Sequence, residues 1–381
     1  MPPKKTEAPI QLTPLQEQAV DEATSYLHDD FVPKSRLRPD DFYSIGGYAG
    51  TGKTTLIKSL VDWCTTQGIR VGVCAFTGKA ASVLESKGIP AQTIHRTIYQ
   101  YNKWLEQFIP IDKYDFQYDC LIIDEASMVS KSLWNDLRNY DCKIIAVGDP
   151  AQLEPIGQDI NLVSDPDITL TEIHRQAQGN PIIDLSMQVR KNIDLADEGL
   201  VNRYEEAAEL IITSGYGDDL VELGADVILC GRNDDRIAFN QKIRDLEGFS
   251  SQGNLLEGER IIFLQNDYCL GVYNGLSGTI TNIIRRFDQT IKVRVICDDG
   301  KPLVVPVTTR FLGQTDLDWK TLRHYRGKAG IIDYGYALTV HKSQGSEWDR
   351  VAVFRTLGPW SQTRWDYTAV TRAAKELFVL V

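Results

Sequence analysis

The sequence predicts an α/β protein built on two parallel sheets, with a small β-barrel inserted in the second domain. Short apolar runs alternate with segments of helical spacing in the first half of the chain, and a similar alternation returns later. The chain has 381 residues, more than one hydrophobic core usually supports, so we expect at least two domains. Residues 260–308 are instead rich in β-branched residues and glycines, which predicts the barrel.

The elements of the first half follow from the spacing of apolar residues. We expect strands at 42–46, 71–75, 121–123 and 144–147, and helices at 53–67 and 78–86. Such alternation is typical of a parallel sheet with helices on both faces. Residues 96–118 interrupt it with seven aromatic side chains, which indicates an insertion between two strands.

A second α/β pattern begins near Ile168. It includes a strand at 227–230 and a helix at 234–246, and it resumes at Ile331 after the barrel to end in a strand at 377–381. Within the barrel, the dipeptide Asn274-Gly275 predicts a hairpin turn.

The composition narrows the class of protein. Hydrophobic residues make up 43% and charged residues 24%, with neither an apolar run of membrane-spanning length nor the pattern of a signal peptide. The seven cysteines form no CxxC pair, which is typical of buried, reduced thiols in a cytoplasmic protein and disfavours a zinc site. A net charge of −11 argues against a diffuse basic surface that coats nucleic acid, but it leaves room for a narrow basic groove.

Residues 47–54 read GYAGTGKT and match GxxxxGK[ST] between a predicted strand and a predicted helix. In this motif glycines such as Gly47, Gly50 and Gly52 let backbone N–H groups approach phosphate oxygens, and the helix N-terminus adds positive potential. Lys53 would neutralise the β- and γ-phosphates, and Thr54 would offer a hydroxyl to Mg²⁺. The segment therefore predicts a nucleoside-triphosphate site, in which the next residue, Thr55, is a further ATP-binding candidate.

Two adjacent carboxylates end the predicted strand at 121–123. Asp124 would hold Mg²⁺ directly or through water, and Glu125 would accept a proton from the attacking water. The pair favours hydrolysis over phosphoryl transfer by a kinase.

Seven further segments lie in a fixed order along the chain: 12–16 (LTPLQ), 75–81 (AFTGKAA), 93–95 (TIH), 147–153 (VGDPAQL), 171–175 (TEIHR), 339–347 (TVHKSQGSE) and 367–373 (YTAVTRA). Together with the P-loop they resemble superfamily 1 helicases of the branch that contains RecD and the phage helicase Dda. The resemblance spans residues 16–372.

This resemblance implies roles at the nucleotide. Gln16 would bond the adenine edge, His174 would stack on adenine, and Gly345 and Glu347 would approach the ribose. Three more side chains would act catalytically at the γ-phosphate, namely Gln152, Arg175 and Arg372. Arginine suits this role because its planar, permanently charged fork binds phosphate oxygens bidentately.

The resemblance also implies contacts with the nucleic-acid strand, made by Thr77, Lys79, His95, Thr339, His341 and Ser343. The aromatic insertion has two interpretations. Trp104 or Phe108 could stack on the terminal base pair as a wedge, or the aromatic side chains could pack on each other as a small core.

The implied architecture is two RecA-like domains flanking an ATP cleft. Residues 1–165 would form domain 1A with 96–118 as insertion 1B, residues 166–250 and 326–381 would form domain 2A, and residues 251–325 would form an SH3-like barrel, 2B.

The implied activity is ATP- and Mg²⁺-dependent DNA unwinding, with 5′ to 3′ movement on single-stranded DNA. We expect a monomer in the cytoplasm of a bacterial or phage-infected cell, acting in DNA replication, repair or recombination. Its partners would be single-stranded DNA and single-strand/duplex junctions, with a single-strand-binding protein or replisome components as further candidates. Two alternatives share parts of this pattern: a translocase that displaces proteins or drives recombination without strong unwinding, and a P-loop kinase or signalling NTPase.

Overall fold

The computed structural model describes residues 12–28, 42–102, 107–154, 160–173, 179–195, 197, 210–213, 224–249, 255–267, 269–314, 322 and 324–380. Contacts divide the chain into two compact units. The first unit comprises Met1–Phe76, Ala80–Pro150 and Glu154–Gln178. The second comprises Gly179–Val381 and two short segments, Thr77–Lys79 and Ala151–Leu153, that group with it by their contacts.

The first unit is built on a six-stranded parallel sheet of order β3-β2-β6-β7-β1-β8. Its strands, with the hairpin strands β4 and β5, are β1 (Tyr43–Gly47), β2 (Val71–Ala75), β3 (Ala91–Thr93), β4 (Tyr99–Asn102), β5 (Gln107–Pro110), β6 (Cys120–Asp124), β7 (Lys143–Gly148) and β8 (Ile168–Leu170). The helices are α1 (Pro14–Leu27), α2 (Lys53–Thr66), α3 (Gly78–Ser86), α4 (Ile94–Ile98) and α5 (Lys131–Leu137).

Side chains that alternate along the strands divide the core of this unit between the two faces of the sheet. In β6, Cys120 and Ile122 pack with α1, α2 and α3, whereas Leu121 and Ile123 pack with α4 and α5. Because both faces are covered, the strand reads as a continuous apolar run in the sequence.

The second unit contains a five-stranded parallel sheet and a closed five-stranded barrel. The sheet has the order β16-β10-β17-β18-β9, and the barrel runs β11-β12-β13-β14-β15. The strands are β9 (Leu210–Thr213), β10 (Val227–Cys230), β11 (Arg260–Phe263), β12 (Ser277–Arg286), β13 (Thr290–Cys297), β14 (Pro302–Thr308), β15 (Gly330–Tyr334), β16 (Ala337–Thr339), β17 (Trp348–Phe354) and β18 (Ala373–Leu380). The helices are α6 (Pro181–Arg190), α7 (Asn233–Leu246), α8 (Val340–Ser343) and α9 (Gln362–Val370). Two parallel sheets and a small barrel confirm the predicted fold class.

Two buried ion pairs join α7 to the barrel. Arg236 pairs with Asp333 of β15, and both side chains are almost wholly buried. Arg244 lies on the same helix and pairs with Glu259 at 2.5 Å. Its guanidinium carbon lies 4.2 Å from the centroid of the Tyr334 ring. These contacts fix the barrel against the helix that follows β10.

Two strands fall outside the domain limits that were predicted from the sequence. Ile168–Leu170 pairs with β1 in the first unit, beyond the boundary at residue 165 and at the point where the sequence suggested a second α/β pattern. Gly330–Tyr334 closes the barrel, past the expected end at residue 325, so Ile331 does not resume the α/β pattern. Both strands are short apolar runs, and periodicity within such a run does not indicate which sheet it joins.

The aromatic insertion contains the antiparallel hairpin β4–β5. Beyond it, Phe116 stacks on Tyr140 with ring centroids 4.2 Å apart and meets Tyr118 edge-on. Tyr140 belongs to the core on one face of β6, and Phe116 and Tyr118 pack against it and each other, as the small-core interpretation predicts for these two insertion residues. Phe108 lies half-buried on β5 of the hairpin, and Trp104 lies outside the described residues.

Within the described ranges, no helix is both long and apolar enough to span a bilayer.

Candidate functional site

The carboxyl ends of β1, β6 and β7 meet at one edge of the first sheet, where ligands bind in folds of this kind. The P-loop follows β1 and enters α2. Gly50 and Gly52 have φ of 75° and 77°, a left-handed conformation that favours glycine. A Cβ at Gly47 would lie 2.8 Å from Cγ of Lys53, so only glycine fits where the lysine side chain crosses the loop. The Lys53 Nζ donates to the carbonyls of Gly47 at 2.6 Å and Tyr48 at 3.1 Å.

The N-terminus of α2 differs from those of its neighbours. In the same unit, Thr13, Thr93 and Ser130 cap α1, α4 and α5 through side-chain hydrogen bonds. The cap of α2 is Gly52, which makes no side-chain bond. The first N–H groups of this 14-residue helix therefore remain available to phosphate oxygens, and Thr54 and Thr55 lie in the same first turn.

Gln16 is buried against the P-loop. Its Nε2 donates to the Thr51 carbonyl at 2.9 Å, while its Oε1 accepts from the Thr13 backbone N at 2.9 Å in the capping box of α1. The amide thus anchors the loop to the first helix in this structure, a role that the sequence did not reveal. Reading of the adenine edge stays a prediction.

Asp124 and Glu125 stand at the end of β6. Burial and the neighbouring Glu125 charge raise the pKa of Asp124 to about 7, against the attraction of Lys53. Glu125 adopts a left-handed φ of 52°, which is uncommon for a residue other than glycine. Its Oε2 is buried without a hydrogen-bond partner in the structure, and so is the hydroxyl of Ser127.

The donors at this edge suit Mg²⁺. Buried polar atoms without partners are rare and commonly mark a ligand or water site. Within the described ranges, no group of three or more His, Cys, Asp or Glu side chains forms a dedicated metal cage. Mg²⁺ is usually bound by one or two protein oxygens together with substrate phosphates and water, and Thr54 and Asp124 offer such oxygens.

Gln152 and its two neighbours, Ala151–Leu153, group with the second unit by their contacts. Arg364 Nη1 donates to the Gln152 carbonyl at 3.1 Å, and the Leu153 N donates to Oγ1 of Thr368 at 2.9 Å. Gln344 Nε2 donates to the Leu153 carbonyl at 2.6 Å. The Gln152 side chain is buried, and its Oε1 has no hydrogen-bond partner.

Sequence reasoning missed Gln344, Arg364 and Thr368. Gln344 and Thr368 lie inside segments that were recognised in the sequence, and Arg364 lies just before one. This closeness to the recognised segments was the signal that could have identified them. Their contact with the Gln152 segment depends on the fold and could not be inferred from spacing.

Arg372 follows α9 and is only 5% exposed. Its guanidinium donates to the carbonyls of Thr368 at 3.1 Å and Ser346 at 3.0 Å, and to the Thr371 hydroxyl at 3.3 Å. These acceptors are neutral, and within the described part of the chain no carboxylate pairs with Arg372. A buried cation is usually paired or bound to an anion, so the side chain is suited to an anionic ligand.

The segment at 339–347 surrounds the short helix α8. Thr339 is its N-cap, and the His341 ring meets Trp360 edge-on, 6.2 Å between centroids. Burial lowers the pKa of His341, which favours the neutral ring. Ser343 is wholly buried and its hydroxyl donates to the Val340 carbonyl at 2.8 Å, which disfavours the phosphate contact predicted for it.

Two other nucleotide candidates lie in this segment. Gly345 has a φ of 73°, which favours glycine, and Glu347 is exposed. Their roles at the ribose stay predictions.

The remaining strand-contact candidates lie in two places. His95 is exposed on α4, with its ring 5.6 Å from that of Tyr99. Thr77 and Lys79 group with the second unit, and both are half-buried. His174 and Arg175 fall outside the described residues.

Two family models match the chain. Residues 36–209 match the AAA domain, and residues 334–380 match the UvrD-like helicase C-terminal domain. The chain is 27% identical over 364 residues to the ATP-dependent RecD2 DNA helicase of Deinococcus radiodurans, covering 87% of this chain and 46% of that protein. It is 29% identical to a probable conjugal transfer protein TraA of Sinorhizobium fredii, covering 87% of this chain and 30% of that protein. The chain thus spans less than half the length of either relative.

Solved structures share the fold. A Bacteroides Pif1 helicase, crystallised with ADP-AlF3 and single-stranded DNA, matches with a TM-score of 0.59 and 20% identity over 97% of this chain and 92% of that one. The Pif1 helicase of Candida albicans matches with a TM-score of 0.58 and 18% identity over 97% and 94%. The P-loop, the paired carboxylates, the ordered segments and these matches agree: the chain is similar to an AAA domain over residues 36–209, to a UvrD-like helicase C-terminal domain over residues 334–380, and to the Deinococcus radiodurans RecD2 DNA helicase over most of its length.

Proposed function

We propose that the chain is an ATP-dependent DNA helicase that moves 5′ to 3′ along single-stranded DNA and couples ATP hydrolysis to strand separation. The observation that carries the proposal is the edge of the first sheet, where an uncapped helix N-terminus, Lys53 and the Asp124–Glu125 pair converge. This edge offers phosphate binding, a cation site and a base. The names of the relatives, a RecD2 DNA helicase and Pif1 helicases, support DNA as the substrate.

Each residue at this edge has a proposed role in hydrolysis. The N–H groups of the P-loop and Lys53 bind the β- and γ-phosphates. Glu125 orients the attacking water and accepts its proton, and its buried, unpartnered Oε2 supports this role. Gln152, Arg175 and Arg372 bind around the γ-phosphate, and for Arg372 the neutral acceptors around its buried guanidinium support an anionic ligand.

Mg²⁺ is the proposed metal, and when bound it neutralises phosphate charge. Thr54 and Asp124 hold it. Burial and the Glu125 charge raise the pKa of Asp124, and the attraction of Lys53 offsets this rise only in part.

The proposed substrate is single-stranded DNA that continues into a duplex. Thr77, Lys79, His95, Thr339 and His341 contact the strand, and the β4–β5 hairpin, with Phe108 and Trp104, parts the duplex. We place this activity in the cytoplasm of a bacterial or phage-infected cell, where the chain acts as a monomer. A single-strand-binding protein or replisome components are its proposed partners.

Duplexes that carry a single-stranded tail at one end test the proposal. With ATP and Mg²⁺, a duplex with a 5′ tail should be separated, while a matched duplex with a 3′ tail should remain annealed. The Glu125→Gln variant keeps the size of the side chain but removes the base, so it should separate neither. Preference for the 3′ tail would contradict the polarity. Failure on both tails, with DNA-stimulated ATP hydrolysis intact, would replace the helicase with a translocase.

A further inference from the structure

The outer face of the barrel carries apolar and cationic side chains next to each other. We call the following residues of β12–β14, with the turn after β12, the outer barrel face: Ile284, Phe287, Lys292, Arg294, Ile296 and Val304. The strand β13 alternates strictly between buried and exposed positions, so Lys292, Arg294 and Ile296 share the side that faces solvent.

Strand register brings these side chains together. Lys292 pairs with Arg285 on one side and Pro306 on the other, and Arg294 pairs with Val304. Irregular register in β12 between Ile283 and Arg285 leaves an additional residue, Ile284, without a partner. The result is one continuous surface across three strands.

The apolar members are unusually exposed. Ile284, Phe287, Ile296 and Val304 expose 46%, 50%, 38% and 47% of their surface, and they are four of the eight large exposed hydrophobic side chains in the described ranges. Single exposed apolar residues are common, but a contiguous group of them marks an interaction site.

The cations of this face lack acidic partners. Nearby Arg260 pairs with Asp298 and Lys301 pairs with Asp299, whereas no carboxylate pairs with Arg285, Lys292 or Arg294 within the described part of the chain. The Arg285 guanidinium instead lies 4.9 Å from the centroid of the Phe287 ring. Because the whole chain has a net charge of −11, this group of unpaired cations stands out against an acidic body.

The backbone of β14 disfavours a partner that adds as an extra strand. The strand pairs with β15 at Val307 and Thr308. Along the preceding part, Pro302 and Pro306 have no N–H to donate. A partner would therefore bind across the face through side chains rather than along the edge.

We propose that the outer barrel face binds an acidic segment of a partner protein in which Asp or Glu side chains alternate with apolar ones. Carboxylates would pair with Lys292 and Arg294, and apolar side chains would cover Ile296, Val304 and Ile284. A nucleic-acid backbone fits less well, because phosphates offer nothing to the exposed aliphatic side chains.

Fluorescence anisotropy with the full chain tests this proposal. The probe is a labelled synthetic peptide in which aspartates alternate with leucine and phenylalanine, and the control peptide has lysine at each aspartate position. We expect the acidic peptide to bind and the basic one not to. The double variant Lys292→Glu/Arg294→Glu should weaken binding by about tenfold or more, which corresponds to about 1.4 kcal/mol. Val304→Ser should weaken it about threefold through lost apolar contact.

Two matched variants in the first unit serve as controls. Lys131→Glu makes the same kind of charge change at an exposed position, and Tyr114→Ser removes a side chain that is 97% exposed. Both should leave peptide affinity unchanged, and thermal unfolding should show that every variant is folded.

Three results would overturn the proposal. The first is no binding of the acidic peptide by the wild-type chain. The second is peptide affinity that is unaffected by the outer-face substitutions. The third is loss of affinity for single-stranded or duplex DNA, rather than for the peptide, in Lys292→Glu/Arg294→Glu, which would make the face a nucleic-acid contact. ATP hydrolysis is a separate readout, so failure here is distinguishable from failure of the proposed helicase function.

Discussion

At the scale of single residues, the proposed catalytic pair, Asp124 and Glu125, opposes the stability of the fold. Asp124 and Glu125 are adjacent carboxylates at a buried strand end, and their repulsion contributes to the raised pKa of Asp124. In the folded protein without metal, the ionised form of Asp124 is therefore disfavoured. Such strain is common at functional sites, where the bound ligand relieves it.

Glu125→Gln should therefore lower the rate of ATP hydrolysis and raise the free energy of unfolding. Loss of the base should reduce kcat by about 10²–10⁴-fold. The pKa of Asp124 lies above its ordinary value of 3.8, so its ionisation destabilises the fold increasingly as pH rises from about 4 to about 7 and fully above that. Removal of the neighbouring charge should make the variant more stable than wild type at pH 8 in EDTA, and the gain should fade toward acid pH. Urea denaturation at several pH values checks this. A variant with a lower free energy of unfolding than wild type at pH 8 would contradict the claim that repulsion between Asp124 and Glu125 destabilises the fold.

Gln16 gives a second prediction at this scale, because its amide joins α1 to the P-loop. Gln16→Ala should leave the Thr51 carbonyl unpaired and remove half of the capping box, at about 1–2 kcal/mol of unfolding free energy. Gln18→Ala is the matched control, since Gln18 is exposed on the same helix and its Nε2 donates to Glu22 at 2.8 Å, away from the P-loop. Denaturation without nucleotide is the measurement. Unchanged stability, with a changed preference among nucleoside triphosphates, would show that Gln16 reads the base and does not anchor the loop.

At the scale of elements, local periodicity predicted three helices of the structure, α2, α3 and α7, and six strands of the two parallel sheets. The predicted bounds of β2, α3 and β10 coincide with those in the structure, because each is a clear apolar pattern, with Lys87 after α3 and Gly231 after β10. The strands β8 and β15 were assigned to the wrong sheets, since pairing is decided by distant residues. The P-loop and the carboxylates were also predictable, because their chemistry requires contiguous residues, whereas the contacts of Gln344 and Thr368 required the fold.

The aromatic insertion gives a prediction that separates its two interpretations. Phe116→Ala should destabilise the first unit by about 2–4 kcal/mol, because Phe116 stacks on Tyr140 in the core. Phe108→Ala should instead slow strand separation and leave DNA-stimulated ATP hydrolysis near the wild-type rate, because Phe108 lies on the hairpin. The checks are thermal unfolding for the first variant and a tailed-duplex assay for the second. Wild-type unwinding by Phe108→Ala would remove that residue as a wedge.

The attachment of the barrel to α7 gives another prediction. Asp333 pairs with Arg236 and accepts from the Gly313 and Tyr334 backbone N atoms, both at 2.8 Å. Asp333→Ala would leave a buried guanidinium unpaired and should destabilise the second unit by about 3–5 kcal/mol. Asp299→Ala breaks an exposed pair with Lys301 and should change stability by about 1 kcal/mol or less. Equal effects in urea denaturation would contradict the importance assigned to the buried pair.

At the scale of the whole molecule, the net charge of −11 conceals local differences. The unpaired cations of the outer barrel face and the buried Arg372 are invisible in a sum over the chain. The net charge disfavoured only a diffuse basic surface, while the ordered motifs predicted a motor that acts on nucleic acid. The two are compatible, because a nucleic-acid strand can be held by a few hydrogen bonds and cations at one edge of a sheet.

The central claim is that ATP hydrolysis by this chain depends on single-stranded DNA. The most direct test is the rate of hydrolysis by purified protein with and without single-stranded DNA, for wild type, Lys53→Ala and the exposed-lysine control Lys131→Ala. We predict strong stimulation by DNA in wild type and Lys131→Ala, and its loss in Lys53→Ala. Hydrolysis that proceeds at the same rate with and without DNA would contradict the account.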